Sequence, residues 1–140
     1  MIKDQLTSAH VKAIFADIAK AHRLRLIVLY GSVARGTETA MSDIDIGVLG
    51  HAPLSHEEEA VLTEEVAQKT GLSRIEVRSL HQTSPLFLYQ VMNEGVVLFA
   101  DTKTRAQELR LYAWKIAAET KHLRDERYRK AHKRIEAYVG

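Results

Sequence analysis

Cysteine is absent from this chain of 140 residues, proline occurs only twice, and no long apolar run is present. The lack of cysteine excludes disulfide bonds, thiol chemistry and zinc sites built from thiolates. No apolar segment approaches the ~20 residues that a membrane-spanning helix requires, and the first residues do not begin a signal peptide. We therefore expect a cytoplasmic protein that has no membrane partner.

Two motifs of common enzyme classes are missing as well. The chain has neither the Gly-x4-Gly-Lys-Ser/Thr loop of P-loop NTPases nor the nucleophile elbow of serine hydrolases. Hydrophobic residues make up 46% of the chain, which excludes a disordered polar chain. The length predicts one domain with a real core and leaves little room for a separate substrate domain.

Charge is distributed unevenly along the chain. Residues 1–102 contain nine Lys/Arg and thirteen Asp/Glu, a net −4, whereas residues 103–140 contain eleven and five, a net +6. A basic segment of this kind suits nucleic acid, an acidic partner protein or nucleotide phosphates. A solvated helix with ion pairs on its outer face explains the composition equally well, so nucleic-acid binding through this segment stays an open alternative.

Apolar periodicity and capping residues predict the order of helices and strands. Val11, Ile14 and Phe15 have helical spacing, while Ile75 and Val77 alternate with polar residues as in a strand. The order predicts an α+β domain, a small mixed sheet flanked by helices over residues 1–102, with a long C-terminal helical extension over residues 103–140. Strands are expected over residues 26–30, 44–49, 74–79 and 96–99, and helices over 8–22, 55–71, 84–95 and, as one helix or two, 104–138.

The most informative segment runs from Gly31 to Asp45. A Gly-Ser turn directly follows the first predicted strand, and ten residues separate Ser32 from an Asp-x-Asp pair that opens the second. Residues two apart on a strand point to the same face, so Asp43 and Asp45 are expected to project together. Such carboxylates suit Mg²⁺, which completes its coordination shell with phosphate and water. The segment predicts metal-dependent chemistry on a nucleotide phosphate, although a plain strand-to-helix turn capped by Ser32 also explains the Gly-Ser pair.

This segment resembles the motif of the polymerase β-type nucleotidyltransferases, and in so short a chain it looks most like the minimal nucleotidyltransferases, or MNT proteins. The residues that carry the resemblance are Gly31-Ser32-x-Ala34-Arg35-Gly36-x5-Ser42-Asp43-Ile44-Asp45, and it extends over roughly residues 8–100. The resemblance implies the polymerase β-type fold, ATP as the substrate and two Mg²⁺ ions. It also implies that Asp43 and Asp45 are catalytic metal ligands and that Gly31, Ser32 and Arg35 bind the nucleotide.

The resemblance predicts a third carboxylate on the neighbouring strand. Glu76 is the only acidic residue on the polar face of the third predicted strand, so it is the candidate catalytic residue and metal ligand. The family usually has Asp here, and Glu is longer by roughly one carbon–carbon bond, ~1.5 Å. Because Mg²⁺ demands tight geometry, this difference could weaken the second metal site. The alternative is an exposed strand residue that pairs with Arg74 or Arg78.

A partner is implied as well. Many MNT proteins are antitoxins encoded with HEPN-type RNase toxins, so the resemblance implies transfer of AMP from ATP to a hydroxyl, that of a tyrosine, on a HEPN toxin in a hetero-oligomer. One alternative is a non-catalytic antitoxin that neutralises its toxin by binding, with the basic C-terminal helices as the contact. A further alternative is nucleotidyl transfer to a small molecule, against which the short chain argues because no second domain is left to form a pocket.

Overall fold

A four-stranded mixed sheet in the order β3-β2-β1-β4 forms the centre of the fold. The computed structural model describes residues 2–139, so Met1 and Gly140, the outer ends of the two predicted segments, lie outside the described residues. Within that range the elements are α1 (Ile2–Leu6), α2 (Ala9–His22), β1 (Leu26–Tyr30), α3 (Gly31–Arg35), β2 (Ile44–Leu49), α4 (His56–Thr70), β3 (Ile75–Ser79), α5 (Pro85–Glu94), β4 (Val96–Ala100), α6 (Arg105–Glu119) and α7 (Lys121–Val139).

The register of the strands aligns three polar side chains in one row. Strand β1, whose five residues are all buried, pairs antiparallel with both β2 and β4, while β2 pairs parallel with β3. Tyr30 lies opposite Asp45, and Asp45 lies opposite Glu76. Paired residues on adjacent strands point to the same face, so the row Tyr30–Asp45–Glu76 crosses three strands at one end of the sheet.

Alternate residues of the strands enter two different cores. Leu29, Ile46 and Val77 pack with α2 and α4 on one face of the sheet. Val28 and Tyr30 pack with α5 and α6 on the other face. Asp45 and Glu76 therefore lie on the second face, beside the part that α5 covers.

Helix α4 closes the outer edge of β3 and thereby fixes the strand that carries Glu76. The backbone N–H of Val77 donates to Thr63 Oγ1 at 3.1 Å, and the backbone N–H of Ser79 donates to Glu59 Oε2 at 2.7 Å. An edge strand otherwise presents unpaired N–H groups to other chains. These side chains accept hydrogen bonds from two N–H groups of the edge strand, and they thereby hold β3 in its register.

The predicted strands are confirmed, and helix α1 is an addition to the predicted helices. Helix α1 was not predicted, because five residues are too few to show a helical period; Leu6 is fully buried and Lys3 Nζ donates to Ala34 O at 3.0 Å. The C-terminal extension is divided at Thr120 into α6 and α7, one of the two expected arrangements, and the Thr120 hydroxyl donates to Ile116 O at 2.7 Å. No helix within residues 2–139 has the length and apolar character needed to cross a membrane.

The buried sheet should dominate stability. We expect Leu29→Ala to lower the free energy of unfolding by about 2–5 kcal/mol, because Leu29 is 0% exposed between the sheet and its helices. The matched variant Leu111→Ala, at a leucine that is 59% exposed on α6, should change it by less than about 0.5 kcal/mol. Urea unfolding followed by circular dichroism measures both, and equal losses would contradict this description of the core.

Candidate active site

The six residues singled out from the sequence meet at the end of the sheet where the row Tyr30–Asp45–Glu76 lies. Gly31, Ser32 and Arg35 belong to α3, which starts directly after β1. Asp43 is exposed one residue before β2, while Asp45 is partly exposed between the buried Ile44 and Ile46. The expected alternation of polar and core-facing residues is therefore present in β2.

The backbone at Gly31 lies against the Asp45 carboxylate. Gly31 has φ +76°, and a Cβ atom built there would stand 2.4 Å from Asp45 Oδ2. Any other residue would both strain the backbone and displace this carboxylate. Helix α3 begins at Gly31 with Tyr30 as its N-cap and no side-chain cap bond, so the Ser32 hydroxyl is not used as the cap.

Negative charge accumulates around Asp45. Burial raises the pKa of Asp45, and the carboxylates of Glu76 and Asp43 raise it further, against the opposing effects of Arg78 and Arg35. Burial also raises the pKa of Tyr30 to about 12, with the Asp45 carboxylate adding to the rise. Tyr30 thus stays protonated near neutral pH, and a cation bound beside Asp45 would relieve the repulsion.

Glu76 is held by an arginine on its own strand. Arg78 Nε donates to Glu76 Oε1 at 2.9 Å, and Arg78 Nη2 stands 2.8 Å from the same oxygen. Arg74, the other arginine considered as a partner for Glu76, instead contacts Met41 Sδ at 3.4 Å. Because both members of the Arg78–Glu76 pair are about half exposed, the pair adds little to stability and can be exchanged for other contacts.

The oxygen donors fit a divalent cation that is shared with a substrate. Among residues 2–139 no three Asp, Glu or His side chains are arranged as a closed metal site. Mg²⁺ does not need one, because it binds through one or two carboxylates and completes its shell with phosphates and water. Asp43 and Asp45 provide such carboxylates, and the pKa of Asp45 is raised first by burial and then by the charges of Glu76 and Asp43.

Helix α5 forms a wall beside α3 that sequence reasoning missed. Arg35 Nη1 donates to Glu94 Oε2 at 3.0 Å. Phe87 meets Tyr30 edge-on at a ring distance of 5.7 Å. Together with Gln90, these residues line an open cavity of about 170 Å³ that borders Gly31. The spacing of Phe87, Gln90 and Glu94 along one helix face is the signal that could have identified this wall.

Ser42 shapes the approach to the Asp pair. The backbone N–H of Thr39 donates to Ser42 Oγ at 2.9 Å, and the backbone N–H of Ser42 donates to Thr39 O at 3.1 Å. These two bonds close a turn directly before Asp43. Ser42 therefore has the structural role that its position before the pair suggests, and it orients the backbone that carries Asp43.

Sequence and fold agree on the class of protein. Residues 12–104 match the nucleotidyltransferase family described as Polymerase beta. The chain therefore belongs to the polymerase β nucleotidyltransferase family, as the motif between Gly31 and Asp45 predicted. One relative is the protein adenylyltransferase MntA of Shewanella oneidensis, which is 32% identical over 108 residues, 75% of this chain and 72% of the relative.

Solved structures show the same fold. One is a crystal structure of a toxin–antitoxin with AMP-PNP, with 24% identity and a TM-score of 0.66 over 82% of this chain and 96% of that chain. Another is the tri-AMPylated Shewanella oneidensis HEPN toxin in complex with MNT antitoxin, with 21% identity and a TM-score of 0.60 over 82% and 93%. These similarities confirm the predicted polymerase β-type α+β fold.

The contact between Gly31 and Asp45 can be tested with Gly31, the first residue of α3, and Gly36, the C-cap of the same helix. Gly31→Ala should lower nucleotidyl transfer by about 10²-fold, because the new Cβ displaces the Asp45 carboxylate by a substantial fraction of an ångström. Gly36→Ala is the control: its φ is +75°, but nothing lies within 4 Å of its Cβ position. Both variants should lose about 1–2 kcal/mol of stability from backbone strain, and only Gly31→Ala should lose activity. Equal activities would contradict the role of this contact.

The repulsion at Asp45 predicts a pH-dependent gain in stability when its charge is removed. The folded-state pKa of Asp45 lies above its unfolded value, so the folded protein loses stability as pH rises through that interval. In EDTA, Asp45→Asn should therefore be more stable than the native chain at pH 7.5, and the difference should shrink as pH falls toward the ordinary Asp pKa of about 3.9. Urea unfolding across this pH range provides the measurement. If Asp45→Asn is less stable than the native chain at pH 7.5, the charge of Asp45 does not destabilise the folded protein.

Proposed function

We propose that this chain transfers AMP from ATP to a tyrosine hydroxyl of a partner HEPN-type RNase and silences it, which makes the chain an antitoxin. The observation that carries the proposal is the Asp45 carboxylate, set against the Gly31 backbone in a row with Tyr30 and Glu76. The family membership supports the transfer of a nucleotide. The adenylyltransferase activity named for MntA and the AMPylated HEPN toxin bound to an MNT antitoxin support the choice of substrate and partner.

The reaction exchanges one phosphorus–oxygen bond for another. The hydroxyl oxygen of the partner attacks the α-phosphorus of ATP, the bond from that phosphorus to the bridging oxygen breaks, and pyrophosphate leaves with the electron pair. The hydroxyl proton passes to a nearby carboxylate or to water. Such transfers depend on alignment and on neutralised phosphate charge more than on covalent help from the protein.

Each candidate residue has a role in this proposal. Asp43 and Asp45 would hold the two Mg²⁺ ions. Bound Mg²⁺ supplies neutralisation of phosphate charge and a lower pKa for the attacking hydroxyl. The backbone at Gly31 and the Ser32 hydroxyl hold phosphate oxygens where no side chain obstructs them. Arg35, now paired with Glu94, lies at the same turn and can pair with a phosphate instead.

Glu76 either completes the metal site or accepts the proton, and leaving Arg78 would free the one oxygen, Oε1, that the ion pair occupies. The exchange has a physical advantage: the freed Arg78 guanidinium becomes available to the negative charge of the pyrophosphate. Because the pair is about half exposed, breaking it costs little.

The same ion pair is also the observation that favours the second candidate, an antitoxin that acts by binding alone. We further propose that residues 1–102 carry the chemistry and residues 103–140 contact the partner.

The two candidates separate in one experiment on the chain purified together with its companion protein. With Mg²⁺ and ATP labelled at the α-phosphate, Asp45→Asn should reduce label on the companion by about 10²-fold or more, because a metal-holding carboxylate is lost. The matched control Asp17→Asn, at an exposed aspartate on α2, should label normally. Unchanged labelling by Asp45→Asn would exclude the proposal, and a companion that is neutralised but never labelled would establish binding alone.

A further inference from the structure

Helix α7 has no buried residue along its length. Its first turn is fastened to α6, since Arg124 Nη2 donates to Ala117 O at 2.9 Å and Arg124 Nη1 donates to Thr120 Oγ1 at 3.0 Å. Most of a helix's stability in a protein comes from packing its apolar face against other elements. The remainder of α7 is therefore an uncovered helix whose role the row Tyr30–Asp45–Glu76 does not explain.

One face of α7 carries an apolar stripe, which consists of Tyr128, Ala131, Ile135 and Tyr138. The intervals of three, four and three residues place these side chains on a single side of the helix. The exposed fractions of Tyr128, Ile135 and Tyr138 are 72%, 61% and 93%. Large apolar side chains aligned on an otherwise charged helix are typical of a surface that binds another protein.

Two arginines follow one edge of the α7 stripe. Arg127 and Arg134 are seven residues apart and each directly precedes a stripe residue, Tyr128 and Ile135. Within residues 2–139, neither arginine forms a salt bridge, whereas Lys121, Lys130 and His132 pair with acidic residues of the same helix. The stripe is thus bordered by two guanidinium groups available to a partner's carboxylates.

We infer that the α7 stripe binds an acidic amphipathic helix of a partner protein. That helix would cover the stripe with apolar residues and present carboxylates about seven residues apart to Arg127 and Arg134. A second copy of this chain fits poorly, because two facing stripes would bring four arginines to one seam. Nucleic acid would use the arginines but leave the apolar side chains of the stripe uncovered. We expect this partner to be the protein that receives AMP, and this identification rests on the proposed function.

The test uses the full-length chain in EDTA without ATP, so that docking is measured apart from transfer. The probe is a fluorescein-labelled helical peptide with a leucine seam flanked by glutamates seven residues apart. Fluorescence anisotropy should show binding to the native chain, about tenfold weaker binding to R127E/R134E, and unchanged binding to Asp45→Asn. The matched control R129E/K133E carries the same change in charge on the far side of α7 and should bind like the native chain.

Exchanging the charges of the peptide and of α7 provides a second test. A peptide with lysines in place of its glutamates should prefer R127E/R134E over the native chain. Far-ultraviolet circular dichroism must show equal helix content in both double variants. Equal weakening by the two variants, preference for a labelled RNA duplex over the acidic peptide, or self-association of the native chain that R127E/R134E abolishes would each overturn the inference. Loss of AMP transfer with docking intact would instead count against the proposed function alone.

Discussion

The Asp45 carboxylate occupies the space that a side chain at position 31 would fill, and the candidate site depends on this contact. The antiparallel register of β1 and β2 sets Asp45 beside Tyr30, the last residue before the turn. The left-handed conformation of Gly31 then turns the chain directly into α3. The turn at Gly31 and the Asp45 carboxylate are thereby brought together by the pairing of β1 with β2, although an irregular segment joins α3 to β2 along the chain.

The same arrangement concentrates negative charge that the fold alone does not neutralise. The charges of Glu76 and Asp43 repel that of Asp45, and Arg78 offsets part of this charge through its ion pair with Glu76. A site of this kind opposes stability in the free protein and favours a cation bound with phosphates. The partial exposure of the Arg78–Glu76 pair lets the arginine act as a temporary counterion that a substrate can displace.

Much of this arrangement follows from local patterns in the sequence. Alternation in β2 and β3 predicts that Asp45 and Glu76 lie on a polar face, and the Gly-Ser turn predicts a phosphate site beside them. The choice of Arg78 over Arg74 as the partner of Glu76 could not be predicted, because it depends on side-chain packing beyond the strand pattern. The spacing of Phe87, Gln90 and Glu94 places them on one helix face, but which part of the sheet that face adjoins depends on how α5 crosses the sheet. Helical periodicity left open whether the extension is one helix or two, and the structure divides it at Thr120.

The most direct test of the account is the intact mass of the companion protein after incubation with Mg²⁺ and ATP. We predict that the mass of the companion rises by one or more adenylyl groups, that peptide mapping places them on a tyrosine, and that the mass does not change in EDTA. A gain of a phosphoryl group instead would show that the γ-phosphorus is attacked and contradict the assigned geometry. An unchanged mass alongside full neutralisation would show that the site near Asp45 no longer carries out chemistry on this partner.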